Sequence, residues 1–195
     1  MMVAETRRPG RKRCEDTQQA ILQAAYALLE EGGMGKFTIE GVAARSGAAK
    51  TTIYRWWPSK GRLAAEAFLV STETQVTPPE TGSAVADLKA HMRLLAALFR
   101  SRVGYIIAGL LAEGHSDPAA VEVYRKGIVE RRDNITGAIL QRGIAQGELR
   151  PDLDVEATLD ALYSPLYTRL LMVFGPLDDA YIERLADTVL RGIAA

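Results

Sequence analysis

Cysteine is almost absent from this chain: Cys14 stands alone among 195 residues, so no disulfide can form within it. Histidine is nearly as scarce. Two imidazoles (His91 and His115) and one thiol are too few for a structural zinc site, so no metal or other cofactor is expected. Net charge is also missing, with 24 Lys+Arg against 24 Asp+Glu, which excludes a histone-like polycation. No apolar run reaches the ~18–20 residues of a membrane span, and the first residues lack an apolar signal core. A soluble, cytoplasmic protein with no membrane partner is expected. The 48% apolar and 25% charged residues are ordinary globular values.

What the chain does have is an uneven spread of charge. Residues 1–62 hold eleven basic side chains (Arg7, Arg8, Arg11, Lys12, Arg13, Lys36, Arg45, Lys50, Arg55, Lys60, Arg62) against six acids (Glu5, Glu15, Asp16, Glu30, Glu31, Glu40). The remainder is acidic by the same margin. A basic N-terminal third on an acidic remainder implies that one part meets a polyanion and the other does not.

Periodicity organises the rest. Residues 1–14 are polar, contain Pro9-Gly10 and read as a disordered basic arm. Asp16 or Thr17 is positioned to cap a first helix with Ile21, Leu22, Ala25, Leu28 and Leu29 on one face, stopped at Gly32-Gly33. Thr38 caps a short second helix ended by Gly47, and a third runs from about Ala49 to Trp57. Ser59 caps a fourth, which fades into the break at Thr77–Gly82. Longer helical segments follow at 83–102 and 103–113, from Asp117-Pro118 to about Gln146, at Asp154–Phe174 with a kink expected at Pro165, and from Asp178. No strand pattern or repeat is present. The expected fold is all-α: a basic arm (1–14), a three-helix head containing a helix-turn-helix (15–62), and a larger helical bundle (63–195).

The stretch from Thr38 to Lys60 carries the function. It reads as helix, tight glycine turn, helix, the arrangement whose second helix enters a major groove. Gly47 suits the turn because a left-handed φ is often required where the chain leaves a helix. Ile53 and Trp57 point inward; Lys50, Thr51, Thr52, Tyr54 and Arg55 form an outward row of donors suited to phosphates or base edges. Glu40 is an acid near that face, able either to accept from a cytosine amine or to repel phosphate.

Residues 15–63 resemble the DNA-binding domain of the TetR family of bacterial transcriptional regulators. The carrying residues are Ile21–Ala27, Phe37-Thr38, Val42-Ala43, Gly47, Thr52–Arg55, Trp57–Lys60 and Leu63, and the run Arg142–Leu149 (RGIAQGEL) also recurs at this place in the family. The resemblance implies that Thr38 meets a phosphate, that Lys50, Thr51 and Tyr54 lie at base edges and groove wall, and that Thr52, Trp56 and Lys60 touch the backbone. Ala49 departs from the family's usual capping serine. The family further implies a homodimer on palindromic double-stranded DNA, joined through the last two helices, and a cavity for a small apolar or aromatic effector. Met92, Leu95, Phe99, Tyr124 and Tyr163 are the candidate effector contacts. Ligand binding would act through the helix following the recognition helix, in the segment 59–76. No paired carboxylates and no Ser–His–Asp set are legible, so an enzyme is not expected. The competing readings are a small-molecule-binding or enzymatic helical protein whose helix-turn-helix is only scaffold, and an architectural DNA binder without an effector.

Overall fold

The computed structural model of the chain describes residues 9–71 and 76–193, and no strand occurs among them. The helices are α1 (Pro9–Lys36), α2 (Ile39–Ser46), α3 (Lys50–Trp56), α4 (Lys60–Ser71), α5 (Ala84–Phe99), α6 (Arg102–Glu113), α7 (Pro118–Tyr124), α8 (Glu130–Ala145), α9 (Val155–Met172) and α10 (Asp179–Ile193). The fold is all-α, as the periodicity requires.

Several boundaries differ from expectation. The basic arm was expected to be disordered to residue 14, but α1 begins at Pro9, so Asp16 and Thr17 lie inside a helix rather than capping one. Residues 1–8, with Arg7 and Arg8, lie outside the described residues, as do residues 72–75 of the expected coupling segment. At Gly33 the backbone turns to φ 61° and breaks the helical path, where the glycine pair foretold a stop. The single helix expected from Pro118 to Gln146 is divided by a wider π turn at Arg125–Val129, which contains Gly127. By contrast α9 continues through Pro165, where a kink was expected.

The chain forms two compact units, which do not follow chain order: Met1–Glu73 with Gly109–Tyr124, and Thr74–Ala108 with Arg125–Ala195. The expected border at 62/63 falls inside α4 and would have put most of that helix in the bundle. Instead α4 packs on α1 and α7 within the first unit. Gly61 makes this approach possible, because a Cβ there would stand 2.6 Å from Asp117 Oδ2 and 3.0 Å from Ala120 Cβ. Ile21, Leu29, Phe37, Val42, Ile53, Trp57, Leu63 and Phe68 fill the core of this unit.

In the second unit, α5 packs on α8, α9 and α10 around Leu88, Met92, Leu140, Leu162, Leu166 and Ile182. The RGIAQGEL run forms a clasp at the start of α5. Glu148 Oε2 accepts from Ser83 Oγ (3.0 Å) and from the Val85 amide (3.2 Å), and Gly143 O accepts from the Glu148 and Leu149 amides. Asp87 is buried and accepts from the Thr81 amide (2.9 Å), the Thr81 hydroxyl (2.6 Å) and the Arg142 guanidinium. Burial pushes the Asp87 carboxyl up, but Thr81 and Arg142 together outweigh it and hold the group below its ordinary value.

A carboxyl depressed in the folded state stabilises above its unfolded pKa, near 4, and that contribution is lost as pH falls through this range. Asp87→Ala should therefore cost about 3 kcal/mol at neutral pH in urea unfolding, the low end for a broken buried pair because Arg142 keeps some solvent access. The variant's melting temperature should also fall less steeply between pH 6 and 3 than that of the parent protein.

Candidate nucleic-acid interface

Thr38 stands in extended geometry before α2, and its hydroxyl accepts from the Gly41 amide at 3.0 Å, which satisfies one orphan donor of the first turn. Being exposed, it still has its hydroxyl hydrogen to offer. At the far end Gly47 takes φ +70°, and its amide returns to Ala43 O at 3.0 Å. α3 then starts at Lys50 without a side-chain cap, because Ala49 carries no acceptor. A seven-residue helix lacking that cap is marginal by itself. Its support comes from burial: Ile53 is 0% exposed and Trp57 1%. The Trp57 indole also donates to Glu66 Oε2 on α4 at 2.9 Å.

With Ile53 and Trp57 inward, the outer row is fixed. Lys50, Thr51, Tyr54 and Arg55 are exposed, while Thr52 and Trp56 are half-buried. The Arg55 guanidinium lies 5.4 Å from the Trp56 ring centre, and Trp56 meets Trp57 edge-on at 5.6 Å. Lys60, at the start of α4, is also exposed.

Sequence reasoning did not anticipate how these cations are held. Lys50 Nζ lies 2.5 Å from Glu40 Oε1, Arg45 forks onto both Glu31 oxygens at 2.7 and 3.0 Å, and Lys60 Nζ is 3.3 Å from Glu113 Oε2. The hydrogen bond from Lys50, with lesser help from the backbone and the lysine's charge, keeps the Glu40 carboxyl below the ordinary range. Arg45 likewise lowers Glu31. Nothing in the sequence indicates these partners, because the pairs are ten, fourteen and fifty-three residues apart.

Of the expected effector contacts, Met92, Leu95, Phe99 and Tyr163 are buried in the second unit, whereas Tyr124 is buried in the first. Two polar residues beside Tyr163 were not anticipated. His91 is buried with Nδ1 2.7 Å from the Tyr163 hydroxyl, and the Arg132 guanidinium lies over the Tyr163 and Tyr167 rings at 4.7 and 5.5 Å. Burial, with the Arg132 charge, pushes the His91 pKa down to about 4 against an opposing hydrogen bond to the Val76 backbone, so the ring is neutral at pH 7. Helical spacing alone cannot tell which of Arg131 and Arg132 turns inward.

A glycine-hinged helix pair with an exposed row of donors, in a chain otherwise built of helical bundle, is the architecture of a DNA-binding transcriptional regulator. Residues 21–67 match the family described as bacterial regulatory proteins, tetR family, and residues 78–189 match the tetracyclin repressor-like C-terminal domain. The chain is similar to the HTH-type transcriptional regulator YdeS of Bacillus subtilis, at 37% identity over 186 residues covering 95% of this chain and 94% of that protein. It is also similar to a DNA-binding transcriptional repressor, TetR, of Mycobacteroides abscessus, at 32% identity over 91% of this chain and 94% of the other. Among solved structures, the TetR family transcription regulator SCO0332 superposes with a TM-score of 0.74 at 33% identity, over 92% of this chain and all of that one. The chain belongs to the TetR family and is a DNA-binding transcriptional regulator.

Because Gly47 holds a left-handed φ, a side chain there is strained even though no atom lies within 4 Å of a Cβ. Gly47→Ala should lower stability by about 1 kcal/mol, read as an earlier midpoint in urea with an unchanged slope.

Proposed function

We propose that this regulator is a ligand-released repressor that binds a palindromic operator as a homodimer in the bacterial cytoplasm. The observation that carries the DNA-binding half is the outward row on α3, Lys50, Thr51, Tyr54 and Arg55, held there by the burial of Ile53 and Trp57. In this reading Thr38, Thr52, Trp56 and Lys60 contact the DNA backbone. The scaffold-only alternative gives no reason to keep such a row exposed. One head covers only a few base pairs, so two heads on a palindrome supply affinity and specificity together.

The dimer reading rests on how the apolar residues of α9 and α10 divide. Leu159, Leu162, Leu166, Ile182, Ala186 and Leu190 are buried in the unit's own core. Val155, Leu170, Leu185 and Val189 are only half-buried, and Leu171 and Met172, with Val173 and Phe174 just beyond the end of α9, are exposed. These leftover apolar residues are suited to a self-complementary contact across a two-fold axis. The effector reading rests on Met92, Leu95, Phe99 and Tyr163, a mostly apolar set with one hydroxyl, which suits a small apolar or aromatic molecule. To release DNA, the effector must bind better to the protein state that fits the operator poorly.

The decisive measurement is fluorescence anisotropy on duplexes selected from a random pool, across a salt series. Steep salt dependence with sequence preference supports the regulator reading; its absence supports the scaffold reading. Lys60→Ala should weaken binding about equally on every duplex and reduce the salt slope by about one unit. Val189→Asp places a charge twice into the symmetric contact. It should sediment as a helical monomer at micromolar concentration, with operator affinity lost.

A further inference from the structure

Glu40 is the sole acid of α2 and α3 together, and it lies on a surface that must approach a polyanion. A side chain there would ordinarily weaken binding by repelling phosphate. Its pairing with Lys50 does not explain its presence through folding, because both side chains are largely exposed (64% and 51%) and such pairs add little stability. What the pair does provide is placement. Lys50 is the first residue of α3, and the N-terminal residues of a recognition helix are those that reach base edges. The ion pair brings the carboxylate of α2 to that same point.

The result is an acceptor and a donor held 2.5 Å apart at the exposed start of α3. A G·C base pair offers their complement in the major groove. Cytosine N4–H2 is a donor, and beside it guanine O6 is an acceptor, the two about 2.9 Å apart as partners in one hydrogen bond. Guanine N7 gives the ammonium a second acceptor. An A·T pair also places a donor next to an acceptor, but beyond thymine O4 lies a methyl group, where the ammonium finds no partner. A phosphate fits the pair poorly, since it attracts only Lys50 and repels Glu40.

We propose that Glu40 and Lys50 read a single G·C base pair as one unit, Glu40 accepting from cytosine N4 and Lys50 donating to guanine O6 and N7. Glu40 is then the specificity-determining residue at that position; the inference rests on the operator-binding reading above. On non-operator DNA the pair stays closed, so Lys50 contributes no phosphate contact and releases no counterion.

The test compares the full-length protein with Glu40→Ala and Glu40→Gln, after circular dichroism shows that helix content is kept. Each is taken through selection on random duplex DNA and then anisotropy. The parent protein should select a G·C pair in each half-site, and exchanging it for A·T should cost about 5- to 150-fold in affinity. Glu40→Ala should lose that discrimination, bind non-operator DNA more tightly, and show a salt slope steeper by about one unit as Lys50 turns to phosphate. Glu40→Gln, with an amide that suits adenine, should move the preference towards A·T. Unchanged base preference in both variants, or weaker non-operator binding by Glu40→Ala, overturns the proposal while leaving the operator reading intact. A parent protein that selects no sequence at all overturns the operator reading itself.

Discussion

A recognition helix of seven residues with no side-chain cap cannot hold its shape alone, and its geometry depends on where Trp57 is buried. The indole closes the C-terminal end of α3, fills the core between the short helices and α4, and satisfies its own N–H on Glu66. Ile53, one turn earlier, buries the same face. Two buried side chains four residues apart fix the rotation of the helix about its axis, and that rotation decides which side chains face outward. Lys50, Thr51, Tyr54 and Arg55 are therefore set by what lies behind them. The glycine turn directs the chain from α2 into α3, the Thr38 cap holds the opposite end of α2, and the tryptophan supplies the anchor.

The cations of the head are held in a consistent way. Lys50, Arg45 and Lys60 each face a carboxylate from another helix, so the basic N-terminal third is less free to bind anions than its charge count implies. Exposed pairs of this kind open at little cost in free energy. In the proposed reading Lys60 binds DNA by exchanging the Glu113 carboxylate for a phosphate, whereas Glu40 and Lys50 stay paired. Each such pair lowers the head's affinity for any duplex, which suits a regulator searching a genome rich in non-specific sites.

The second unit handles its polar groups differently. Asp87 and Arg142, and the set of His91, Tyr163 and Arg132, are largely withdrawn from water, where polar contacts are stronger and unpaired groups cost more. The first pair ties the Arg142–Leu149 run to the start of α5. The second joins a neutral imidazole, a phenol and a guanidinium in the interior of the second unit. One network holds helices in register; the other gives an apolar interior a small number of directional groups.

Much of this was legible in the chain itself. The 3.6-residue spacing of apolar positions fixes an all-α fold, and Thr38, Gly47 and Pro58 punctuate the helix-turn-helix because capping, left-handed φ and a missing N–H are local properties of single residues. The outward row on α3 could be read for the same reason, since it follows from helical period and two apolar neighbours. Tertiary structure alone decided the rest. The carboxylate partners of Lys50, Arg45 and Lys60, the inward turn of Arg132 and the grouping of α4 with residues 109–124 join positions far apart in sequence. Their pairing depends on how helices pack, and helical period specifies which face is buried but not what it is buried against.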